Sequence, residues 1–481
     1  MRDAFSYDAP RLWFALKCVA GIAILFAGVR YGTAFAEESV LRPIEDVLAE
    51  TERRLDAIRA ERSMRSPHDE AIEAQLQSFE ESLATRTIKG PSVEALSQAH
   101  TRLIAADLGE MKLYLYEDGH ATSVIPILSK GKRGSRWETP TGLYEIETRE
   151  EDHFSSIGEV HMLFSMQFFG NFFIHGWPYY PDGTPVPEGF SGGCIRLSTE
   201  DAARVFSFAK AGTPLFIWET DTGTETAGID VNEKLPRISA ASFLVADVRT
   251  GAVYAERFPE KVMPVASVTK LMTALVANET THYDRLLSIT SDDRRATDGT
   301  PGNILLNELL TVGDALYALL LESNNSVAYT LARYHGSDNF MQWMNDKARA
   351  IGMTQTYYED PSGISEKNVS TANDLFRLMR YIHTSQSYIL GMSREPQKTI
   401  SSESGSKYVL GNFNHFAGNP QFVGGKVGYT IAARETMTAI FDIPVDGKTT
   451  TIAIIILGSN DRKADVQALV SWFKRAAQHA E

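Results

Sequence analysis

Three short motifs must meet in space if this chain is to do chemistry with them. Ser267-Val268-Thr269-Lys270, Ser323-Asn324-Asn325 and Lys426-Val427-Gly428 occur in that order, with Ser323 56 positions after Ser267 and Lys426 103 after Ser323. One Ser-x-x-Lys match is common by chance, but the ordered set of three is not. A serine hydroxyl attacks a carbonyl only when a base takes its proton. A lysine three positions on, one helical turn later, sets its amine beside that hydroxyl. Desolvation among other cations can hold the amine neutral.

A second nucleophile signature lies upstream. Ser191-Gly192-Gly193-Cys194-Ile195-Arg196-Leu197 follows His175, with Cys194 19 positions after it. A thiol acylates as thiolate, so it needs a base or a positive charge nearby, and His175 can supply one. The glycines let the backbone close in, so that N–H groups can point at a developing oxyanion. Arg196 is a ready partner for a carboxylate. A buried, inert cysteine is the bland alternative. The chain has only two cysteines, Cys18 and Cys194. One cysteine with scattered histidines lacks the closed spacing of a zinc site. His161 suits a core or surface role better than catalysis. Trp177, Tyr179 and Tyr180 read as packing aromatics or as a loop covering substrate.

The 481 residues allow about three domains. A net charge of −14 disfavours nucleic-acid partners and a polybasic membrane patch, and favours solubility. Arg2, Arg11 and Lys17 precede the apolar run Cys18–Val29, and Ala34-Phe35-Ala36 follows it. Residues 1–36 therefore read as an export signal cleaved after Ala36, or as an uncleaved N-terminal anchor, the one membrane contact expected. Either way the remainder faces outside the cytoplasm. Residues 37–100 read as a helical stalk or hairpin, with Leu41, Leu48 and Leu55 seven apart and a second stripe at Ile72, Leu76, Phe79 and Leu83. Strand-like alternation such as Met111–Tyr116, punctuated by Gly and Pro, predicts a mostly β domain over 101–219. Residues 220–234 are linker-like, rich in Thr, Gly and Asp. Residues 235–481 mix strands and helices, with helices expected at Ser267–Ala277, Val312–Leu321 and Lys463–Ala477.

The 101–219 segment resembles the L,D-transpeptidase (YkuD-like) catalytic domain. The resemblance rests on Thr139-Pro140-Thr141-Gly142 with Tyr144, on His175-Gly176, and on the Ser-Gly-Gly-Cys run. It implies Cys194 as nucleophile and His175 as base. It also implies that the Gly176 carbonyl orients the imidazole and that the Gly193 and Cys194 N–H groups form the oxyanion hole. Ser191 either positions substrate or merely shapes the turn. The family forms a thioester on a tetrapeptide stem, releases D-Ala, and passes the acyl group to an amine of a neighbouring stem, giving a 3→3 cross-link.

From Leu235 onward the chain resembles the serine-type D-Ala-D-Ala carboxypeptidases of the low-molecular-mass penicillin-binding class. Pro264–Ala274, Leu320–Leu331, Asp360-Pro361-Ser362-Gly363-Ile364 and Ser370-Thr371 carry the match. It implies Ser267 as nucleophile, Lys270 as base, Ser323 and Lys426 as proton relays and Asn325 as holder of the substrate amide. The Ser267 and Tyr429 N–H groups would form the oxyanion hole beside Gly428. The family normally has Thr where this chain has Val427, which removes a hydroxyl available to the substrate's terminal carboxylate. A lost hydrogen bond to a charged group is worth ~1.5–3 kcal/mol. Thr430 is the candidate to compensate. A class A β-lactamase shares the Ser-x-x-Lys logic, but Asn324 stands where those enzymes carry Asp, and Asp360-Pro361-Ser362-Gly363 where their deacylating Glu loop would lie. The C-terminal β domain and anchor helix of some relatives are not expected.

The expected architecture is thus multidomain: an N-terminal helical segment, a mostly β domain, then an α/β domain of the β-lactamase/transpeptidase type. The expected function is a bifunctional peptidoglycan enzyme. Its serine site trims pentapeptide stems, and its cysteine site cross-links the resulting tetrapeptides. β-Lactams are expected as covalent inhibitors, and no cofactor or metal is implied. The alternatives are a D,D-endopeptidase or a non-catalytic wall-binding module in the second domain, and protein attachment or stem hydrolysis in the first.

Overall fold

The strand Arg102–Asp107 (β1) explains how the first domain is layered. Leu103 and Ala105 face one apolar cluster while Ile104 and Ala106 face another. A strand buried on both faces needs a continuous apolar run, which Leu-Ile-Ala-Ala supplies. The structure is a computed structural model that describes residues 86–219, 228–230, 233–297, 302–445 and 447–478. The expected leader at 1–36, the stalk stripes and most of the expected linker lie outside these.

A short helix, α1 (Val93–Ala99), precedes β1 and is capped by the Ser92 hydroxyl. There follow β2 (Lys112–Glu117), β3 (His120–Pro126), β4 (Gly142–Glu145), β5 (Thr148–Ser155), β6 (Val160–Phe169), β7 (Phe172–His175), β8 (Ile195–Arg196), α2 (Thr199–Phe208) and β9 (Pro214–Trp218). One sheet runs β3-β2-β1-β9-β4 and the other β5-β6-β7-β8. Ile104, Leu113 and Leu215 from the first sheet share a core with Met166, Ile174 and Ile195 from the second.

The second domain is built on a five-stranded sheet. Strands β10 (Ser242–Asp247) and β11 (Val253–Arg257) bracket the expected turn at Arg249–Gly251. Helices α3 (Lys270–Thr280), α4 (Val312–Leu321), α5 (Asn325–Tyr334), α6 (Ser337–Ala350) and α7 (Ala372–Ser385) come next. Strands β12 (Phe422–Thr430), β13 (Arg434–Val445) and β14 (Lys448–Ser459) and the final helix α8 (Arg462–Gln478) complete it. The strand order is β11-β10-β14-β13-β12. Alternation along β10 sends Leu244 and Ala246 to the helical core and Phe243 and Val245 to the core under α8. Every residue of α3 is buried, the pattern of a helix surrounded by protein.

From Arg86 onward the described residues belong to one compact unit, and the seam between its two domains is specific. Ala350 at the end of α6 joins the first domain's core. Lys347 donates to the Tyr144 and Tyr381 hydroxyls at 2.8 and 2.9 Å and lies 2.8 Å from the Glu279 carboxylate. Thr141 and Ser385 hydroxyls meet at 3.1 Å. Residues 86–88, expected as the end of a helical stalk, instead extend along the edge of β11. Ile88 N–H donates to the Gly251 carbonyl and Val253 N–H to the Arg86 carbonyl, each at 2.9 Å. Backbone donors on an edge strand offer hydrogen bonds that a helix cannot take up, so this stretch is extended. Among the described residues, no helix is long and apolar enough to cross a membrane.

Candidate active sites

Parallel pairing sets up the cysteine site. Ile174 of β7 lies opposite Ile195 of β8, and His175 opposite Arg196. Both isoleucines enter the core, so alternation turns Phe173, His175, Cys194 and Arg196 to the other face. Cys194 packs there with Val160, Met162 and Phe173. The His175 Nδ1–H donates to the Gly176 carbonyl at 2.6 Å, which leaves Nε2 as the basic nitrogen. Burial pulls the imidazole down to about 4 and pushes the Cys194 thiol up to about 11. At neutral pH both are therefore uncharged, and the resting pair is thiol and imidazole. The thiol's hydrogen bond goes to the Asn171 carbonyl at 3.7 Å, not to His175.

The loop before Cys194 departs from expectation in one respect. The Gly193 N–H, expected to be free for an oxyanion, donates to the Ser191 hydroxyl at 3.1 Å, and that hydroxyl donates to the Cys194 carbonyl at 2.6 Å. Ser191 therefore shapes the turn. A side chain at residue 193 would sit 2.3 Å from the Phe172 ring at a φ of +101°, so only glycine fits. Arg196 lies over the Trp177 ring at 5.7 Å, and its buried Nε has no hydrogen-bond partner. His161 bonds Asp152 at 3.0 Å and stacks on Tyr179.

The serine site gathers its three motifs. Ser267 lies in the 3-10 turn Ala266–Thr269 that leads directly into α3, whose first residue is Lys270. Lys270 Nζ donates to the Ser267 hydroxyl at 2.9 Å and to the Ser362 carbonyl. Burial draws its ammonium down to about 7, against a smaller pull upward from Asp360. Lys426 on β12 is held well below its ordinary range by burial, then by Lys270 and Arg462. Ser323 takes φ +58°, and its buried hydroxyl has no partner. Asn324 caps α5 through Val327 N–H at 3.1 Å, so Asn325 is the first helical residue. A side chain at residue 428 would meet Ser267 N at 2.9 Å, which is why β12 passes Ser267 with a glycine. Ser267, Ser323, Asn325, Val427, Gly428, Tyr429 and Thr430 all line one cleft of about 970 Å³.

Two regions of the chain match described families: residues 101–217 match the L,D-transpeptidase catalytic domain, and residues 229–459 match D-alanyl-D-alanine carboxypeptidase. A D-alanyl-D-alanine endopeptidase of Pseudomonas aeruginosa is 33% identical over 259 residues, 52% of this chain and 80% of that protein. The chain belongs to the D-alanyl-D-alanine carboxypeptidase family. It carries the L,D-transpeptidase catalytic domain ahead of the peptidase domain. An Escherichia coli D-alanyl-D-alanine endopeptidase is 29% identical over 50% of this chain and 78% of its own length. D-alanyl-D-alanine carboxypeptidase DacB2 of Mycobacterium tuberculosis is 31% identical over 42% of this chain and 70% of its own length. A crystal structure of a D-alanyl-D-alanine carboxypeptidase from Mycobacterium tuberculosis aligns over 52% of this chain and 95% of its own, at 27% identity and a TM-score of 0.46.

Arg462 is the residue of the carboxypeptidase domain that sequence reasoning missed. It opens α8, lines the serine cleft and donates to the Gly428 carbonyl at 2.9 Å. Its buried Nε has no partner. No motif flags a lone arginine after a strand; only the sheet's closure brings it beside Val427. Thr430 accepts from Ala433 N–H at 3.0 Å and keeps its own proton to donate. Among the described residues, no group of three or more His, Cys, Asp or Glu side chains could hold a metal ion.

Proposed function

We propose that the chain is a bifunctional, extracytoplasmic peptidoglycan enzyme in which the serine site trims pentapeptide stems and the cysteine site cross-links the products. The observation that carries the reading is the Lys270 amine 2.9 Å from the Ser267 hydroxyl, buried and poised near neutrality. Ser267 Oγ attacks the carbonyl between the two terminal D-alanines while Lys270 takes its proton. The C–N bond breaks, and the leaving amine receives a proton relayed through Ser323 and Lys426. Water then hydrolyses the ester and releases a tetrapeptide stem. Asn325 holds the substrate amide, and Arg462 with Thr430 takes the terminal carboxylate where Val427 offers no hydroxyl. β-Lactams acylate the same serine.

The tetrapeptide is the acyl donor for the second step. Cys194 Sγ attacks the carbonyl before the terminal D-Ala, and the thiol proton passes to His175 Nε2. D-Ala leaves with that proton, and a thioester remains. An amine on a neighbouring stem takes the acyl group and regenerates the thiol. Arg196 binds a donor carboxylate. The same thioester serves protein attachment or stem hydrolysis if the acceptor is a protein amine or water.

A second reading of the serine site is favoured by a specific observation. Val427 weakens recognition of a free C-terminus, and relatives at 33% and 29% identity are named endopeptidases. Cleavage of D,D-cross-links is then the main activity. Purified protein incubated with pentapeptide and cross-linked muropeptides, followed by mass spectrometry, separates the cases. Tetrapeptide and 3→3 dimers are expected from wild type. Dimers surviving in Cys194→Ala, or unchanged tetrapeptide in Ser267→Ala, would overturn the assignments. Failure of wild type and Ser267→Ala alike to bind a fluorescent penicillin would point to a non-catalytic module.

A further inference from the structure

One segment of the carboxypeptidase domain reaches into the surroundings of Cys194. Helix α3 begins at Lys270 and ends at Thr280, so its far end lies about 16 Å from the serine chemistry at 1.5 Å per residue. That end meets two loops of the other domain. The Asn171 side-chain amide donates to the Thr280 carbonyl at 2.9 Å. The Asn171 backbone carbonyl is the acceptor of the Cys194 thiol. The second loop is docked independently: Asn278 donates to the Arg136 carbonyl at 3.3 Å, and the Arg136 guanidinium lies between the Trp137 and Tyr283 rings, at 5.1 and 4.6 Å. Trp137 also contacts His282 with ring centroids 5.6 Å apart. The Trp137 carbonyl in turn lies 3.3 Å from where a side chain on Gly193 would project.

We infer that residues 278–283 of the carboxypeptidase domain are a structural part of the cysteine site, seating the two loops that frame Cys194, and that Asn171 is the positioning residue through which they act on the thiol. The inference rests on the reading of Cys194 as the reactive thiol. A carbonyl accepts a hydrogen bond only from the protonated sulfur, so the seated Asn171 favours thiol over thiolate. Loosening the seat releases that preference. The charged group acting on the sulfur is Arg196 on β8, which together with the Phe173 N–H favours thiolate; His175 on β7 and His153 on β5, against Phe173, lie on the same side, and Tyr180 acts on Arg196. None of them is altered by a change at residue 171 or 278.

The test is the pH profile of Cys194 alkylation by iodoacetamide in the full chain, with fluorescent-penicillin labelling of Ser267 as the control for folding. Asn171→Ala and Asn171→Leu, which remove the donor to Thr280 without adding a charge, should each move the profile to lower pH, raising the alkylation rate at pH 8 by about tenfold. Asn278→Ala should move it the same way by less. Penicillin labelling should stay at the wild-type rate in all three. Profiles of the Asn171 variants that superimpose on wild type overturn the inference. Should either Asn171 variant fail to fold, Asn278→Ala alone decides: an unshifted profile overturns it. Alkylation reads the sulfur and not turnover, so a wild type that alkylates but makes no cross-links defeats the proposed activity and leaves this inference standing.

Discussion

The Lys347 ammonium lies 2.8 Å from the Glu279 carboxylate at the domain seam, and neither side chain is exposed to solvent. Tyr144 from the L,D-transpeptidase domain and Tyr381 from the carboxypeptidase domain accept from Lys347, and Tyr381 donates to Glu279. Burial pushes the carboxyl up and the ammonium down, each toward its neutral form, while their mutual attraction opposes both shifts. Removing one partner strands the other. Lys347→Met should cost ~3–5 kcal/mol in unfolding of the full chain, whereas Lys347→Met with Glu279→Leu should recover most of it. Thermal and denaturant unfolding of the two variants checks this. A single variant within ~1 kcal/mol of wild type would show that the pair does not hold the seam.

Lys270 makes acylation of Ser267 pH-dependent. Its ordinary value of 10.5 falls to about 7 in the fold, so the amine is a free base only above that pH. The rate of penicillin acylation should rise through an inflection near pH 7 and level off above it, measured by stopped-flow or timed labelling. The same shift has a stability consequence. Between about 7 and 10.5 the unfolded chain binds the extra proton, so stability should climb as pH rises across that window. An acylation rate flat between pH 5.5 and 8.5 would remove Lys270 as the base.

Ser323 is strained at the position where a proton relay is proposed. Its φ of +58° and its unpaired, buried hydroxyl both cost stability. Ser323→Ala keeps the backbone angle and deletes the orphan oxygen. Its melting temperature should therefore equal or exceed that of wild type. Penicillin acylation should fall by roughly 10²–10⁴-fold if the hydroxyl relays protons. Loss of both activity and stability would instead mark Ser323 as a packing residue.

How much of this was legible in the sequence differs between the two sites. The motifs named several residues that line the serine cleft, and the pairing of Ser267 with Lys270 was readable because the two sit one turn apart and need no tertiary information. The Val312–Leu321 helix was readable in full, since Thr311 and Asp314 mark its start with a cap. Arg462 was not readable, because its place beside Val427 is set by the pairing of β12, β13 and β14, a non-local event. Asn171 and residues 278–283 were hidden for the same reason: their meaning arises only when domain docking brings together residues 107 to 112 positions apart in the chain. The Gly193 N–H looked free because sequence cannot say which way the Ser191 hydroxyl turns.

Val427 is expected to set what the carboxypeptidase domain prefers to cut. Its side chain lines the cleft while also packing with Phe422, Met437 and Ala439. Val427→Thr places a hydroxyl beside Arg462 and Thr430 at the end of the substrate. A hydrogen bond to a charged carboxylate is worth ~1.5–3 kcal/mol, so kcat/KM for a peptide ending in free D-Ala-D-Ala should rise by roughly 10- to 150-fold. The same variant should leave cleavage of an amidated or cross-linked analogue within about threefold, because no free carboxylate is present to use the new donor. Arg462→Leu should act in the opposite sense, lowering kcat/KM for the free-acid peptide more than for the amide. Steady-state kinetics on the acid and amide pair reads both variants. Equal effects on the two substrates would mean that neither residue reads the carboxylate, and that the cleft selects its substrate from the acyl side.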